Sequence, residues 1–132
     1  MVTFNEEKWP IVYVYIDGIT NFQDLQTYLT RFYIWLSREE CFGIILKQNM
    51  AQQAQEKPPT EVRKLEIEWS RQNKPRIAQY CLGMAMVIDY MEMLQKWQPI
   101  ASKAILNMFG CSGQVFGVIA PAEEWIANQM NM

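Results

Sequence analysis

The sequence predicts one α/β domain, a mixed sheet of four or five strands covered by about four helices. Three observations carry that expectation. Short β-branched and aromatic runs alternate with longer stretches in which apolar residues recur every three or four positions. The alternation proceeds without an internal repeat or a linker across 132 residues, a length that suits one domain. Half of the residues are hydrophobic, enough to fill a core at this size.

Val2, Thr3 and Phe4 read as a short edge strand, with Asn5 to Lys8 as its turn. The run over 11–16, Ile-Val-Tyr-Val-Tyr-Ile, is strongly strand-forming, and its two apolar faces place it inside the sheet. Asp17-Gly18 marks its exit. A helix follows over 22–37, where Leu25, Leu29, Phe32 and Leu36 form a core-facing stripe widened by Tyr28 and Trp35. Arg38-Glu39-Glu40 leads to a strand over 41–46.

Residues 47–59 form a polar loop whose glutamines and alanines are compatible with a short helix. Thr60 is placed to cap a helix over 60–79, with Val62, Leu65, Trp69, Ile77 and Tyr80 turned inward. Pro75 is expected to kink or interrupt its last turns. A strand over 81–88 precedes a helical region over 91–109 that is divided at Pro99 and closed by Gly110. The last strand is expected over 113–119. Pro121 then opens a helix over 121–130, docked through Trp125, Ile126 and Met130.

The chemistry available to this chain is narrow. It contains no histidine, which excludes histidine-based triads and histidine-ligated metal sites. Its glycines match neither phosphate-binding pattern, and Gly110-Cys111-Ser112-Gly113 is a turn whose backbone N–H groups offer only a weak anion cradle. Carboxylate chemistry could draw on Asp17, Asp24, Asp89 or Glu92. Asp17 and Asp89, with Tyr90, follow predicted strands, where open α/β sheets place ligands, and they are the candidate ligand-edge residues. Turn and cap roles explain the same positions. No catalytic residue, metal or cofactor is assigned, and a non-enzyme is expected.

Cys41, Cys81 and Cys111 lie at or just before strand starts, so parallel strands would gather them at one sheet edge as a candidate thiol cluster. Redox sensing or soft-metal binding would need such proximity, whereas inert burial needs nothing further. Three unpaired cysteines suit a reducing compartment, and the lack of a signal-like start or a long apolar run makes cytoplasmic residence the expectation.

Twelve basic against fourteen acidic groups leave a net charge of −2, with no general attraction to nucleic acid or anionic lipid. Residues 57–76 are locally basic: Lys57, Arg63, Lys64, Arg71, Lys74 and Arg76 stand against Glu61, Glu66 and Glu68. A solvated helix face accounts for this as well as a nucleic-acid patch does, and no nucleic-acid partner is expected. Tyr28, Tyr33, Trp35 and Trp97 are candidate interface residues, and nine methionines suit an adaptable core or contact surface. A protein partner or homo-oligomer is therefore expected, with no transmembrane segment and with peripheral lipid contact left open.

In the order of its elements across nearly the whole chain, the sequence resembles the STAS, or anti-sigma-factor-antagonist-like, domain. That resemblance implies a non-enzymatic regulatory or interaction module. Some members carry a phosphorylatable serine in an Asp-Ser/Thr-Ser-Gly stretch at the start of the helix after the third strand. Here Lys47-Gln48-Asn49 follows the strand and Pro58-Pro59-Thr60-Glu61 begins the helix, so no serine carries over. Thr60 stands nearby and is read as a cap. A small-molecule or lipid sensor with a pocket at the strand carboxyl edge is the alternative, followed by a carboxylate- or cysteine-dependent enzyme.

Overall fold

The computed structural model describes residues 1–17, 21–49 and 59–131. The strands are β1 (Val2–Asn5), β2 (Ile11–Asp17), β3 (Phe42–Asn49), β4 (Cys81–Ile88) and β5 (Gly113–Phe116). The helices are α1 (Phe22–Ser37), α2 (Thr60–Tyr80), α3 (Met91–Trp97), α4 (Ala101–Phe109) and α5 (Ile119–Gln129). This is the α/β architecture expected, with five strands in one mixed sheet.

The strands lie in sequence order, β1 to β5. β1 pairs antiparallel with β2, while β2, β3, β4 and β5 are mutually parallel. Parallel neighbours need crossover connections, and α1, α2 and the α3–α4 pair supply them. The alternation of side chains across the sheet then separates two cores. Val12, Val14, Ile16, Ile44 and Met84 meet Leu25, Leu29, Phe32, Trp35, Leu36, Val62, Ile77 and Ile105 of α1, α2 and α4 on one face. Tyr13, Ile45, Ala85 and Val87 meet Ala122 and Ile126 of α5 on the other.

Aromatic packing closes the α1 side. Phe32 lies with its ring 5.0 Å from Trp69, 5.9 Å from Trp35 and 6.1 Å from Phe42. Trp9 stacks on Phe42 at 5.6 Å, the Arg38 guanidinium covers its ring at 4.2 Å, and its indole N–H donates to Glu40. Glu6 accepts from both Arg31 and Arg38, which ties the β1–β2 connection to α1. Asn21 caps α1, its side-chain oxygen accepting from the Asp24 N–H at 2.7 Å.

Several boundaries differ from expectation for local reasons. β3 extends through Lys47, Gln48 and Asn49 because these polar residues pair with Tyr15, Ile16 and Asp17, and ladder hydrogen bonding outweighs composition. The rest of the expected polar loop, 50–58, lies outside the described residues. Thr60 is not a cap: it is the first residue of α2, and the Pro59 carbonyl accepts from Val62 and Arg63 at 3.0 and 3.2 Å. Pro75 does not end α2. It sits on the exposed side, where the carbonyl it leaves unpaired can meet water, while buried Asn73 and Ile77 hold the inner side. β5 stops at Phe116 and α5 already begins at Ile119, because Pro121 falls within the first turn, whose N–H groups have no helical partner to lose.

Glycine is required where α4 meets the sheet. Gly110 has φ +82, the left-handed conformation that ends a helix, and its N–H donates to Leu106 at 2.9 Å. A Cβ on Gly113 would stand 2.4 Å from the Ile105 side chain, so α4 rests directly on the β5 backbone.

Candidate functional site

The carboxyl ends of the parallel strands present Asp17, Asn49 and Asp89. Asp17 ends β2 and is in register with Asn49 of β3, while Asp89 follows β4. One strand separates the two aspartates, so their backbones lie about 9–10 Å apart at ordinary interstrand spacing. Both are exposed, and no described groove joins them. Tyr90 is the N-cap residue of α3, and its hydroxyl donates to Glu92 at a long 3.4 Å. It packs beside Ile88, Ala101 and Val115. Two grooves open elsewhere, one of about 480 Å³ on α1 and one of about 350 Å³ between α2 and α4, and neither is lined by Asp17, Asp89 or Tyr90.

The structure divides the three cysteines. Cys41 is exposed just before β3, whereas Cys81 and Cys111 are buried in the core beneath α1, α2 and α4. A register shift at the start of the β3–β4 ladder brings Cys81 onto that face, and Cys111 lies two residues before Gly113, the partner of Met84. The two thiols are therefore neighbours, and the Cys81 Sγ donates to the Gly83 carbonyl at 3.5 Å. The Cys111 side chain and burial together push the Cys81 thiol well above its usual range.

Beside this pair α1 and α2 bring Tyr28 and Glu66 together in a polar seam. Burial, reinforced by Glu66, Cys81 and Cys111, holds the Tyr28 phenol well above its ordinary value. Burial raises the Glu66 carboxyl too. The Ser70 hydroxyl, one helical turn beyond Glu66, is buried and has no hydrogen-bond partner among the described residues. A thiol attacks or binds metal as its thiolate, and burial beside Cys111 disfavours that form at Cys81. Among the described residues no group of three or more cysteine, aspartate or glutamate side chains is placed to hold a metal ion. The available signal was the spacing of Val62, Glu66, Ser70, Asn73 and Ile77, which puts two neutral polar residues and one acid on the inner stripe of α2.

The aromatic candidates also divide. Tyr28 and Trp35 are buried, Trp35 completely, so neither belongs to a free surface. Their place on the widened core stripe of α1 holds and their candidacy for an interface does not, because the sheet and α2 together absorb both rings. Tyr33 is exposed and lies beneath the Arg76 guanidinium at 5.0 Å. Trp97 is exposed, its indole N–H directed at the Met93 sulfur at 3.1 Å.

The α3–α4 stretch differs from the rest of the surface. α3 buries none of its residues, yet the segment from its start into α4 exposes Met91, Trp97, Ile100 and Leu106. On the reverse face Tyr13 donates to Glu123 of α5, and burial together with that carboxylate raises the phenol to about 12. No described helix is long and apolar enough to cross a membrane. Comparison with family models, curated proteins and solved structures finds no match for this chain.

Proposed function

We propose that this chain is a non-enzymatic interaction module that self-associates through its α3–α4 shoulder and acts by forming or blocking a complex. The observation that carries the reading is a helix with no buried residue that nevertheless belongs to a segment exposing Met91, Trp97, Ile100 and Leu106. Large apolar side chains gathered in one stretch gain most when a second surface covers them. Met91 can adapt to such a surface, and Trp97 supplies a rigid anchor.

The strand order supports the regulatory part of this proposal. One antiparallel edge strand followed by four parallel strands in sequence order resembles the STAS arrangement at the level of topology. Three free cysteines suit work in a reducing compartment such as the cytoplasm.

Sedimentation velocity over a wide concentration range tests the proposal. The expected result is a mass that rises with concentration in the wild-type chain and less so in a Trp97→Ser, Ile100→Ser variant. A chain that remains monomeric throughout, or one whose association ignores those substitutions, would overturn it.

A further inference from the structure

We infer that the groove between α2 and α4 is a second interaction surface, built to receive an acidic amphipathic helix of a protein partner. Ile67, Arg71 and Lys74 of α2 face Ala104, Asn107 and Met108 of α4 across a groove of about 350 Å³. The lining contains two cations and no acid. Ile67 is 51% exposed, a large apolar side chain left uncovered at the centre of a charged helix face.

The surroundings strengthen the positive field. Arg63, Lys64 and Lys103 are exposed on the same two helices. Of the acids on α2, Glu66 turns toward the core, leaving Glu61 and Glu68 outside. Glu68 accepts from Arg71 at 2.7 Å, an exposed pair that a competing carboxylate can replace at little cost. The outer face is therefore more basic than the order of residues implies, although the whole chain carries a net charge of −2. Complementarity selects an acidic partner.

The form of the partner follows from the lining. α2 and α4 run in the same sense, their late residues Lys74 and Asn107 in contact, and make a trough that accepts a third helix, to which Ile67, Ala104 and Met108 offer an apolar floor. Nucleic acid is the poorer fit. Sequence-tolerant binding of single strands relies on aromatic stacking, and Trp69, the aromatic residue nearest Ile67 on α2, is packed against Phe32 in the core. Lys74 has a second task, donating to the Asn107 carbonyl at 2.9 Å and so tying α2 to the end of α4.

This inference rests on the reading of the chain as an interaction module but uses a different surface from the α3–α4 shoulder. Its test uses the full chain and a fluorescein-labelled designed peptide of about sixteen residues, with a leucine stripe flanked by glutamates. The expected result is salt-sensitive binding that falls at least about tenfold in Ile67→Glu and, separately, in Lys64→Glu/Arg71→Glu. Lys74 is left unchanged to preserve its contact. Amide shifts on binding should map to α2 and α4, and a Trp97→Ser, Ile100→Ser variant should bind the peptide as the wild type does.

Equal binding of a lysine-flanked peptide would overturn the inference, as would shifts confined to other elements. So would tighter binding of an oligothymidylate, which would assign the groove to nucleic acid. Loss of self-association in Ile67→Glu would assign it to a second copy of this chain. Failure of the Trp97→Ser, Ile100→Ser variant to alter self-association would count against the shoulder alone and leave the groove result standing.

Discussion

α1 and α3 are both apolar at helical spacing, but they relate to the core in opposite ways. α1 buries Leu25, Tyr28, Leu29, Phe32, Trp35 and Leu36, whereas α3 buries no residue fully and seats only Met93 and Leu94, in part, against Ile88, Ala101 and Val115. Length is part of the cause: sixteen residues in α1 against seven in α3. Position supplies the rest. α1 covers Val12, Val14 and Ile16 of β2 and shares a seam with α2, while α3 only touches β4 and β5 and α4 makes the larger contact with β5. An apolar helix is thus a structural element in one place and an available surface in the other. What decides is how much of the helix the elements beside it can cover.

The strongest way to break this contrast is to remove an anchor of α1. Phe32→Ala should cost about 3–5 kcal/mol, because a completely buried ring surrounded by aromatic neighbours leaves a void that rigid rings fill poorly. Urea unfolding should show a lower midpoint with a similar slope. A loss below about 1 kcal/mol would mean that α1 is not the seated helix described here.

A smaller effect is expected where α4 rests on the β5 backbone. Gly113→Ala puts a methyl 2.4 Å from Ile105 and should destabilise the fold by about 1–3 kcal/mol. Ile105→Ala removes the Cγ2 and Cδ1 carbons that crowd that methyl, so Gly113→Ala should cost less in an Ile105→Ala background than in the wild type. If it costs the same in both backgrounds, the close approach of α4 to β5 is not the source of the cost.

The seam between α1 and α2 contains a flaw that pH can expose. Burial raises the Glu66 carboxyl above its ordinary value, so its neutral form is the one the fold prefers. The associated stability is complete below the unfolded-state value and is lost as pH rises through the folded value. Glu66→Gln stays neutral throughout and should melt higher than the wild type near pH 7.5, with a smaller difference near pH 4. A difference that is constant with pH would show that Glu66 reaches water when ionised and that the seam carries no electrostatic penalty.

Much of the fold was legible because it depends on period and punctuation. The run Ile11 to Ile16 could only be an interior strand, and Leu25, Leu29, Phe32 and Leu36 could only be one helix face. Boundaries were less legible where hydrogen-bonded neighbours decided them, as at Lys47 to Asn49, or where a proline had two acceptable helical positions, as at Pro121. Candidate sites were harder still. Proximity of Cys81 to Cys111 follows from the register shift at the start of β4, which composition does not encode. Trp35 and Trp97 look alike in sequence, and only the sheet beneath one of them separates a core residue from a surface one.

That pair of tryptophans offers the finest test of the contrast. Trp97→Ser removes an exposed ring whose polar contact is the 3.1 Å approach to Met93, so folding stability should change by no more than about 0.5 kcal/mol. Trp35→Ser places a hydroxyl in a dry aromatic cluster and should prevent stable folding. Self-association should respond in the reverse sense among folded chains: Trp97→Ser should dissociate more readily while its urea midpoint stays in place. A Trp97 variant that loses stability in step with association would place that ring in the core of the protomer and make α3, like α1, part of the scaffold.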